Sequence, residues 1–373
     1  MKKIIECSRA IAEAVKLCRP GVIPCYPITP QTHIPEYISE YVNNGELKSE
    51  VVYVESEHSA MSSCIGASAA GARTFTASAS QGVALMHEVL FIASGMRLPI
   101  VMVVANRALS APINIWNDHQ DSISERDSGW IQIYAADSQE AHDSIVQAYK
   151  VAEKVLLPVM VCVDGFTLTH VFEPVDLLSQ TDVDKVLSDF VPAFKLDPNN
   201  PVTMGPIAYP KDYMLFKIQQ QDAMFKSIAL LKEANTQFKF FFDRPYGDGL
   251  IEEYKISDAE FAFVCMGSMF GTVKVVVDEL RRQGQKVGVI RIRTYRPFPR
   301  EEIIKAVANI KGLIVFDRNI SLGNEGALAS EIKALLPDKK VKGYVIGLGG
   351  SDITPKHIFR SIIEFNGKVE WLL

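Results

Sequence analysis

The sequence predicts an α/β protein with a parallel sheet in a large first domain and a smaller α/β domain after it. Three observations carry this. Short apolar runs alternate with helical patterns along most of the 373 residues. Several of the runs, such as Pro99–Ala105 and Leu156–Val163, are apolar throughout, as strands covered on both faces are. The pattern degrades from about 171 to 250 and resumes near Ile256. The expected domains are therefore 1–250, with a long excursion at about 171–250, and 256–373. A chain of 41.4 kDa buries roughly three quarters of its unfolded surface, which favours more than one domain.

Taken in order, Val22–Ile28 reads as a strand entering a turn, and Glu50–Glu55 as a second strand. Glu57–Gly71 is a small-residue helix, Arg73–Ser78 a strand, Ser80–Met96 a helix and Pro99–Ala105 a buried strand. Between Arg107 and Trp130 no helix or strand period is clear. An irregular segment of that length inside a domain is usually functional, and Trp116 argues against disorder. Gln139–Lys154 is helical and Leu156–Val163 a strand. The excursion holds prolines at 174, 192, 198, 201, 206 and 210, helix-like sequence over Asp212–Thr236, then Phe238-Lys239-Phe240-Phe241-Phe242. Free linkers lack such aromatics, so it is expected to wrap a partner. In the second block, strands are expected at Phe261–Met266, Val287–Arg293, Leu313–Asp317 and Tyr344–Leu348. Helices are expected at Met269–Gln283, Glu325–Leu336 and Pro355–Glu364, and Arg296-Pro297-Phe298-Pro299 breaks the chain.

Composition narrows the function. The apolar share of 48% is that of a globular chain, and a net charge of −5 gives no general attraction to nucleic acid or acidic lipid. No apolar run approaches membrane length, and the start Met1-Lys2-Lys3-Ile4-Ile5-Glu6-Cys7 does not read as a secretory signal, so a cytoplasmic location is expected. The six cysteines show no C-x-x-C spacing and sit in apolar surroundings, which fits buried free thiols and not an iron–sulfur or zinc site. The seven histidines form no metal spacing. Two glycine clusters are decoys. Gly347-Leu348-Gly349-Gly350-Ser351-Asp352 has Asp where a dinucleotide fingerprint needs Gly. Gly247-Asp248-Gly249 lacks both the preceding buried strand and the later Asn of a diphosphate–magnesium motif, so it reads as a turn into the second domain.

Ligands of open α/β sheets gather beyond the carboxyl ends of strands. Arg107 ends one strand, and its guanidinium suits a bidentate grip on a carboxylate. Thr29 follows another strand end and offers a hydroxyl. Glu57 stands just past a third, at the start of a helix, where the macrodipole alone would also favour it. Glu55 is its near neighbour and competitor.

The string Tyr26-Pro27-Ile28-Thr29-Pro30 resembles the alpha chain of pyruvate:ferredoxin oxidoreductases and their 2-oxoacid relatives. The resemblance continues in order through Glu55-Ser56-Glu57-His58, Thr76-Ala77-Ser78-Ala79-Ser80-Gln81-Gly82, Ala105-Asn106-Arg107-Ala108, Asp118-His119-Gln120-Asp121, Val163-Asp164-Gly165-Phe166, Gly267-Ser268 and Arg296-Pro297-Phe298-Pro299, spanning nearly the whole chain. It implies a thiamine-diphosphate pyrimidine-binding domain followed by a transketolase-C-like domain. It also implies a separate beta subunit carrying the diphosphate-binding domain and Mg2+, gamma and ferredoxin-like delta subunits that complete the enzyme, and [4Fe-4S] clusters on partner subunits and not on this chain. The reaction implied is pyruvate plus coenzyme A and oxidised ferredoxin (or flavodoxin) to acetyl-CoA, CO2 and reduced carrier, or the reverse.

In that family one carboxyl faces N1′ of the aminopyrimidine, so that the 4′ nitrogen takes the proton from C2; the resemblance assigns this role to Glu57. It assigns substrate binding to Thr29 and Arg107, and cofactor contacts to Ile28, Ser80, Gln81 and Gly82 beside Glu57. Asn106 and His119 fall into supporting positions. Thr29 and the run Ala108-Leu109-Ser110-Ala111-Pro112 look pyruvate-type. The alternatives are a 2-oxoglutarate, branched-chain or oxalate enzyme, the beta subunit of a lipoamide-linked dehydrogenase, and a scaffold subunit without chemistry of its own.

Overall fold

The computed structural model describes residues 2–363 and 370–372. Met1, and Glu364 at the end of the helix expected over Pro355–Glu364, lie outside them. The chain opens with β1 (Lys2–Glu6), α1 (Cys7–Cys18), β2 (Val22–Cys25), α2 (His33–Asn43), β3 (Glu50–Tyr53), α3 (Glu57–Ala69) and β4 (Phe75–Ser78). It continues through α4 (Ser80–Leu85), α5 (His87–Gly95), β5 (Val101–Asn106), α6 (Gln120–Ser124), β6 (Ile131–Tyr134), α7 (Ser138–Val155), β7 (Val159–Asp164) and β8 (Phe172–Asp176). After α8 (Gln180–Val183) and α9 (Pro210–Phe242) come β9 (Ile251–Tyr254), β10 (Phe261–Cys265), α10 (Met269–Arg282), β11 (Val287–Ile292) and β12 (Thr294–Arg296). Then follow α11 (Arg300–Ala306), β13 (Gly312–Asp317), α12 (Ala327–Leu335), β14 (Lys340–Ile346), α13 (Pro355–Ile363) and β15 (Glu370–Leu372).

Two mostly parallel sheets result. The first has the order β12-β6-β7-β5-β4, and the parallel pair β2-β3 joins it through a bridge from Val22 to Thr74. The second has the order β15-β14-β13-β10-β11-β9. All residues of β5 and β7 are buried, as the apolar runs require. α7 is buried along most of its length against this sheet, because α1 and α9 cover its outer side. All six cysteines are buried free thiols. Among the described residues, no helix is long and apolar enough to cross a membrane.

The structure departs from the sequence expectations at definite places. The helix expected over Ser80–Met96 divides at Met86, whose N–H is shared between the Gly82 and Val83 carbonyls. The segment 107–130 contains α6, five residues long and too short to show a period. The aromatic run 238–242 does not follow a helix but ends one. Pro210 starts α9 at a position where it costs no hydrogen bond, and Asp243, in the left-handed region, stops it. Its C-terminal half buries Ala223, Met224, Leu231, Ala234 and Phe238 at helical spacing, while Phe240 stays exposed. The strand expected over Val287–Arg293 ends at Ile292, and Thr294–Arg296 crosses to the first sheet, pairing antiparallel with β6. β9 adds an antiparallel edge to the second sheet. β1, α1, α2, β6 and β8 lie outside the expected elements.

Candidate active site

The carboxyl ends of β4 and β5 meet around a buried carboxylate. Asp121, on α6, accepts hydrogen bonds from the backbone N–H of Ser80 (2.8 Å), Arg107 (3.0 Å) and Ser122 (2.7 Å), and from Asn106 Nδ2 (2.8 Å). Burial pushes its carboxyl up to about 6 against the pull of these donors. Ser80 takes a positive φ of 50°, a conformation costly for a residue with a side chain; its bond to Asp121 and the bond its hydroxyl donates to the Ala108 carbonyl hold it there. The Ser80 hydroxyl also lies 2.5 Å from Gln81 Oε1. Asp121 thus ties together Ser80, Asn106 and Arg107, three of the residues singled out in the sequence, although it was not itself singled out.

Glu57 opens α3, whose N-cap is Ser56, its Oγ accepting from Ser59 N–H. Glu57 is 6% exposed. Gly82, in α4, lies against it: a side-chain carbon at 82 would stand 2.5 Å from Glu57 Oε1 and 2.5 Å from Ser78 Oγ. Glycine is therefore required for the two helix starts to approach. Among the described residues nothing donates to the Glu57 carboxyl, and the buried Ser78 hydroxyl beside it has no partner. Glu55 is different. It is exposed and accepts from Ser59 Oγ, which holds its carboxyl below the usual range.

Arg107 is 7% exposed. Its Nε donates to the Asn114 carbonyl (3.0 Å) and its Nη1 to the Thr29 carbonyl (2.9 Å). Among the described residues it has no carboxylate ion partner and Nη2 has no acceptor, and burial lowers its pKa. Thr29 is exposed beside it. Ile28 donates its N–H to Gln31 Oε1 (3.2 Å), and Gln31 Nε2 donates to the Ala77 carbonyl, which pins this turn to β4. A side chain at 165 would collide with the Asn106 carbonyl and Pro30, so Gly165 lets the turn after β7 close against both. Glu57, Gly82, Ser80, Gln81, Ile28, Thr29, Asn106 and Arg107 therefore share one end of the first sheet.

The His119 imidazole faces elsewhere. Its Nε2 lies 2.7 Å from Asp164 Oδ1, inside a cluster between the domains. Asp164 also accepts from Arg318 Nη1 (2.8 Å) and from the N–H (3.0 Å) and hydroxyl of Ser268. Burial opposes ionisation there, but His119 and Arg318 hold the carboxyl well below its ordinary range. The decoy glycines have a structural use: Asn114 Nδ2 donates to the Gly349 carbonyl (3.0 Å), and Gly350 N–H donates to the Asn117 carbonyl (2.7 Å), docking the 107–130 segment on the second domain. Gly247-Asp248-Gly249 is the expected turn, with Asp248 accepting from the N–H of Leu250 and Ile251.

A second charged cluster was not singled out in the sequence. Glu140 on α7 accepts from Arg291 Nη1 (2.6 Å), Arg293 Nε (2.7 Å) and the Ala136 N–H (2.9 Å), all in the interior. The two guanidinium groups overcome the effect of burial and lower the Glu140 pKa. The only signal was two arginines inside an otherwise apolar strand run, Val287–Arg293.

An incompletely paired Glu and Arg that stand past strand ends of one mostly parallel sheet, with a second α/β unit beside it, mark the class as a ligand-binding α/β protein. The chain belongs to the pyruvate flavodoxin/ferredoxin oxidoreductase family. The family described as "Pyruvate flavodoxin/ferredoxin oxidoreductase, thiamine diP-bdg" matches residues 13–235, and "Pyruvate:ferredoxin oxidoreductase core domain II" matches residues 259–358. The chain is 55% identical to pyruvate synthase subunit PorA of Methanocaldococcus jannaschii, over 99% of this chain and 95% of that one. It is 51% identical to the PorA subunit of Pyrococcus furiosus, over 95% and 91%. It is 44% identical to ketoisovalerate oxidoreductase subunit VorA of Pyrococcus abyssi, over 100% and 97%. Its fold matches the 2-oxoglutarate:ferredoxin oxidoreductase of Magnetococcus marinus with a TM-score of 0.76 at 21% identity, covering 98% of this chain and 65% of that one.

Proposed function

We propose that this chain is the alpha subunit of a thiamine-diphosphate-dependent pyruvate:ferredoxin oxidoreductase, interconverting pyruvate, coenzyme A and oxidised ferredoxin with acetyl-CoA, CO2 and reduced ferredoxin. The observation that supports it most is the Glu57 carboxyl, buried at the end of the sheet with no donor among the described residues. A carboxyl in that state is available to share its proton with a ligand nitrogen. When bound, thiamine diphosphate supplies the carbon nucleophile and the electron sink for decarboxylation of a 2-oxoacid.

The chain's own residues then divide the work. Glu57 would share its proton with N1′ of the aminopyrimidine ring, donating to it and accepting from N1′–H once the proton has moved, and Gly82 leaves room for the carboxyl. Ser80, Gln81 and Ile28 line the same end of the sheet. Arg107 offers Nη2, and Thr29 its hydroxyl, to the substrate carboxylate. Asn106 positions Arg107 through Asp121, and His119 fixes the loop between the domains. Mg2+ and the diphosphate-binding domain belong on a beta subunit, gamma and ferredoxin-like delta subunits complete the enzyme, and the [4Fe-4S] clusters sit on partner subunits and not on this chain. The electron acceptor is ferredoxin or flavodoxin, and the enzyme is cytoplasmic. The domains are residues 1–250, with the excursion at about 171–250 wrapping a partner, and 256–373.

The 44% identity to a ketoisovalerate oxidoreductase subunit favours one second reading, a branched-chain 2-oxoacid in place of pyruvate. The test is purification of the assembled complex, followed by thiamine content, visible spectrum and viologen reduction with pyruvate, 2-oxoisovalerate and 2-oxoglutarate. Bound thiamine diphosphate, iron–sulfur absorbance and a kcat/KM highest for pyruvate are expected. A preference for 2-oxoisovalerate would move the chain to the second reading. Absence of thiamine would reject both.

A further inference from the structure

Apart from the Glu57 site, a cluster of metal-ligand side chains lies where β1 meets the turn after β7. Glu6 ends β1, His33 opens α2, and His170 follows the turn at Thr167–Thr169. One ligand atom from each lies within 4.8 Å of the other two. His33 Nδ1 is 2.7 Å from Glu6 Oε1, and the His33 and His170 ring centroids are 4.6 Å apart.

The remaining atoms of two of these residues already have partners. Tyr37 donates its hydroxyl to Glu6 Oε2 at 2.9 Å. His170 Nδ1 lies 2.8 Å from Thr169 Oγ1, which also accepts from the Phe166 N–H at 2.8 Å. With Nδ1–H given to Thr169, the His170 Nε2 lone pair is the free ligand atom. Protein metal sites are built this way, with an outer partner fixing each ligand's tautomer and angle. Glu6 is 5% exposed, and among the described residues no Lys or Arg pairs with it. A buried carboxylate in that position calls for a positive charge.

We propose that Glu6, His33 and His170 form a binding site for one divalent transition-metal ion, Zn2+ being the reference case, with the fourth position taken by water. Two imidazoles and one carboxylate are an established donor set for zinc. The ion would join three segments distant in sequence: β1, the start of α2 four residues after Thr29, and the turn carrying Phe166, whose ring contacts both His170 (4.7 Å) and Trp116 (6.5 Å). It would act as a clip beneath the loops that bear the substrate-facing residues.

The test is titration of the chelator-stripped full chain with Zn2+ by calorimetry and with Co2+ by visible absorption. One equivalent per chain is expected, with cobalt d–d bands and an upward shift of the melting temperature. His33→Ala and His170→Ala should each abolish stoichiometric binding, and Tyr37→Phe should weaken it by ~10-fold through loss of the outer partner. X-ray absorption of the Zn2+-loaded wild-type chain keeps the proposal testable should a variant fail to fold; it should show imidazole nitrogens at about 2.0–2.1 Å. No saturable binding, equal binding in folded variants, or a metal shell without imidazole would each overturn it.

Discussion

The region around Glu140 and the region around Glu57 each bury a glutamate side chain, and the two are finished differently. Glu140 is saturated: two guanidinium groups and a backbone N–H occupy its oxygens, and Arg293 spends its other donors on Gly249, Ser144 and Gln147. Glu57 has no donor among the described residues, and Arg107 keeps one nitrogen free after binding two carbonyls. A buried ion that satisfies itself fixes how two domains sit together. A largely buried side chain whose polar atoms stay unpaired at the carboxyl end of a sheet keeps hydrogen-bonding capacity for a ligand. Spare hydrogen-bonding capacity, more than charge or burial, separates the site from the scaffold here.

That contrast can be broken first at Glu57. Glu57→Gln should lower turnover of the assembled enzyme by ~10²–10⁴-fold while leaving assembly and melting temperature unchanged, as expected for loss of a proton-handling carboxyl. Steady-state kinetics beside a thermal melt check it, with exposed Glu55→Gln as the control that should stay active. Glu140→Ala should do the reverse, leaving two buried cations without their partner. A loss of about 3–5 kcal/mol of stability is expected in denaturant titration.

Arg107→Lys is a subtler case. Lysine keeps the charge but cannot hold two carbonyls and a ligand together, so kcat/KM for the 2-oxoacid should fall by ~10–10³-fold with thiamine content unchanged. The smallest effect concerns Asp121. Its folded-state value of about 6 lies above the ordinary ~3.9 of an unfolded Asp, so the native state binds the proton more tightly. Its contribution to stability is full below pH ~4 and is lost as pH rises through 6, a change on the order of 3 kcal/mol. Asp121→Asn should flatten that part of the stability–pH curve, measured by urea unfolding between pH 4 and 7.5.

Much of this architecture was legible in the residues. Strands such as Val101–Asn106 and Gly312–Asp317 are apolar because both faces are covered, and that is visible without coordinates. The ordered strings from Tyr26 to Pro299 pointed to the family that residues 13–235 and 259–358 match. What was not legible depends on pairing at long range. Asp121 stood in a quoted string, yet its partners Ser80 and Asn106 are 41 and 15 residues away, and His119 drew the attention instead. Arg291 and Arg293 meet Glu140 some 150 residues earlier, a distance no local pattern reports. The return of Thr294–Arg296 to the first sheet is three residues long and carries no period. The full extent of α9 was hidden because Phe240 and Phe241 of its aromatic tail face outward, against the pattern of a packed helix.

Everything proposed for the site turns on the Glu57 carboxyl as the chain's proton-handling contact to thiamine diphosphate. Exchange of the cofactor's C2 proton for deuterium in the assembled complex, followed by rapid quench and NMR, measures that step without substrate. Exchange should be slower by at least ~10²-fold in Glu57→Gln at equal cofactor occupancy, with Glu55→Gln unchanged. Exchange at the wild-type rate in Glu57→Gln, or its loss in Glu55→Gln instead, would contradict it.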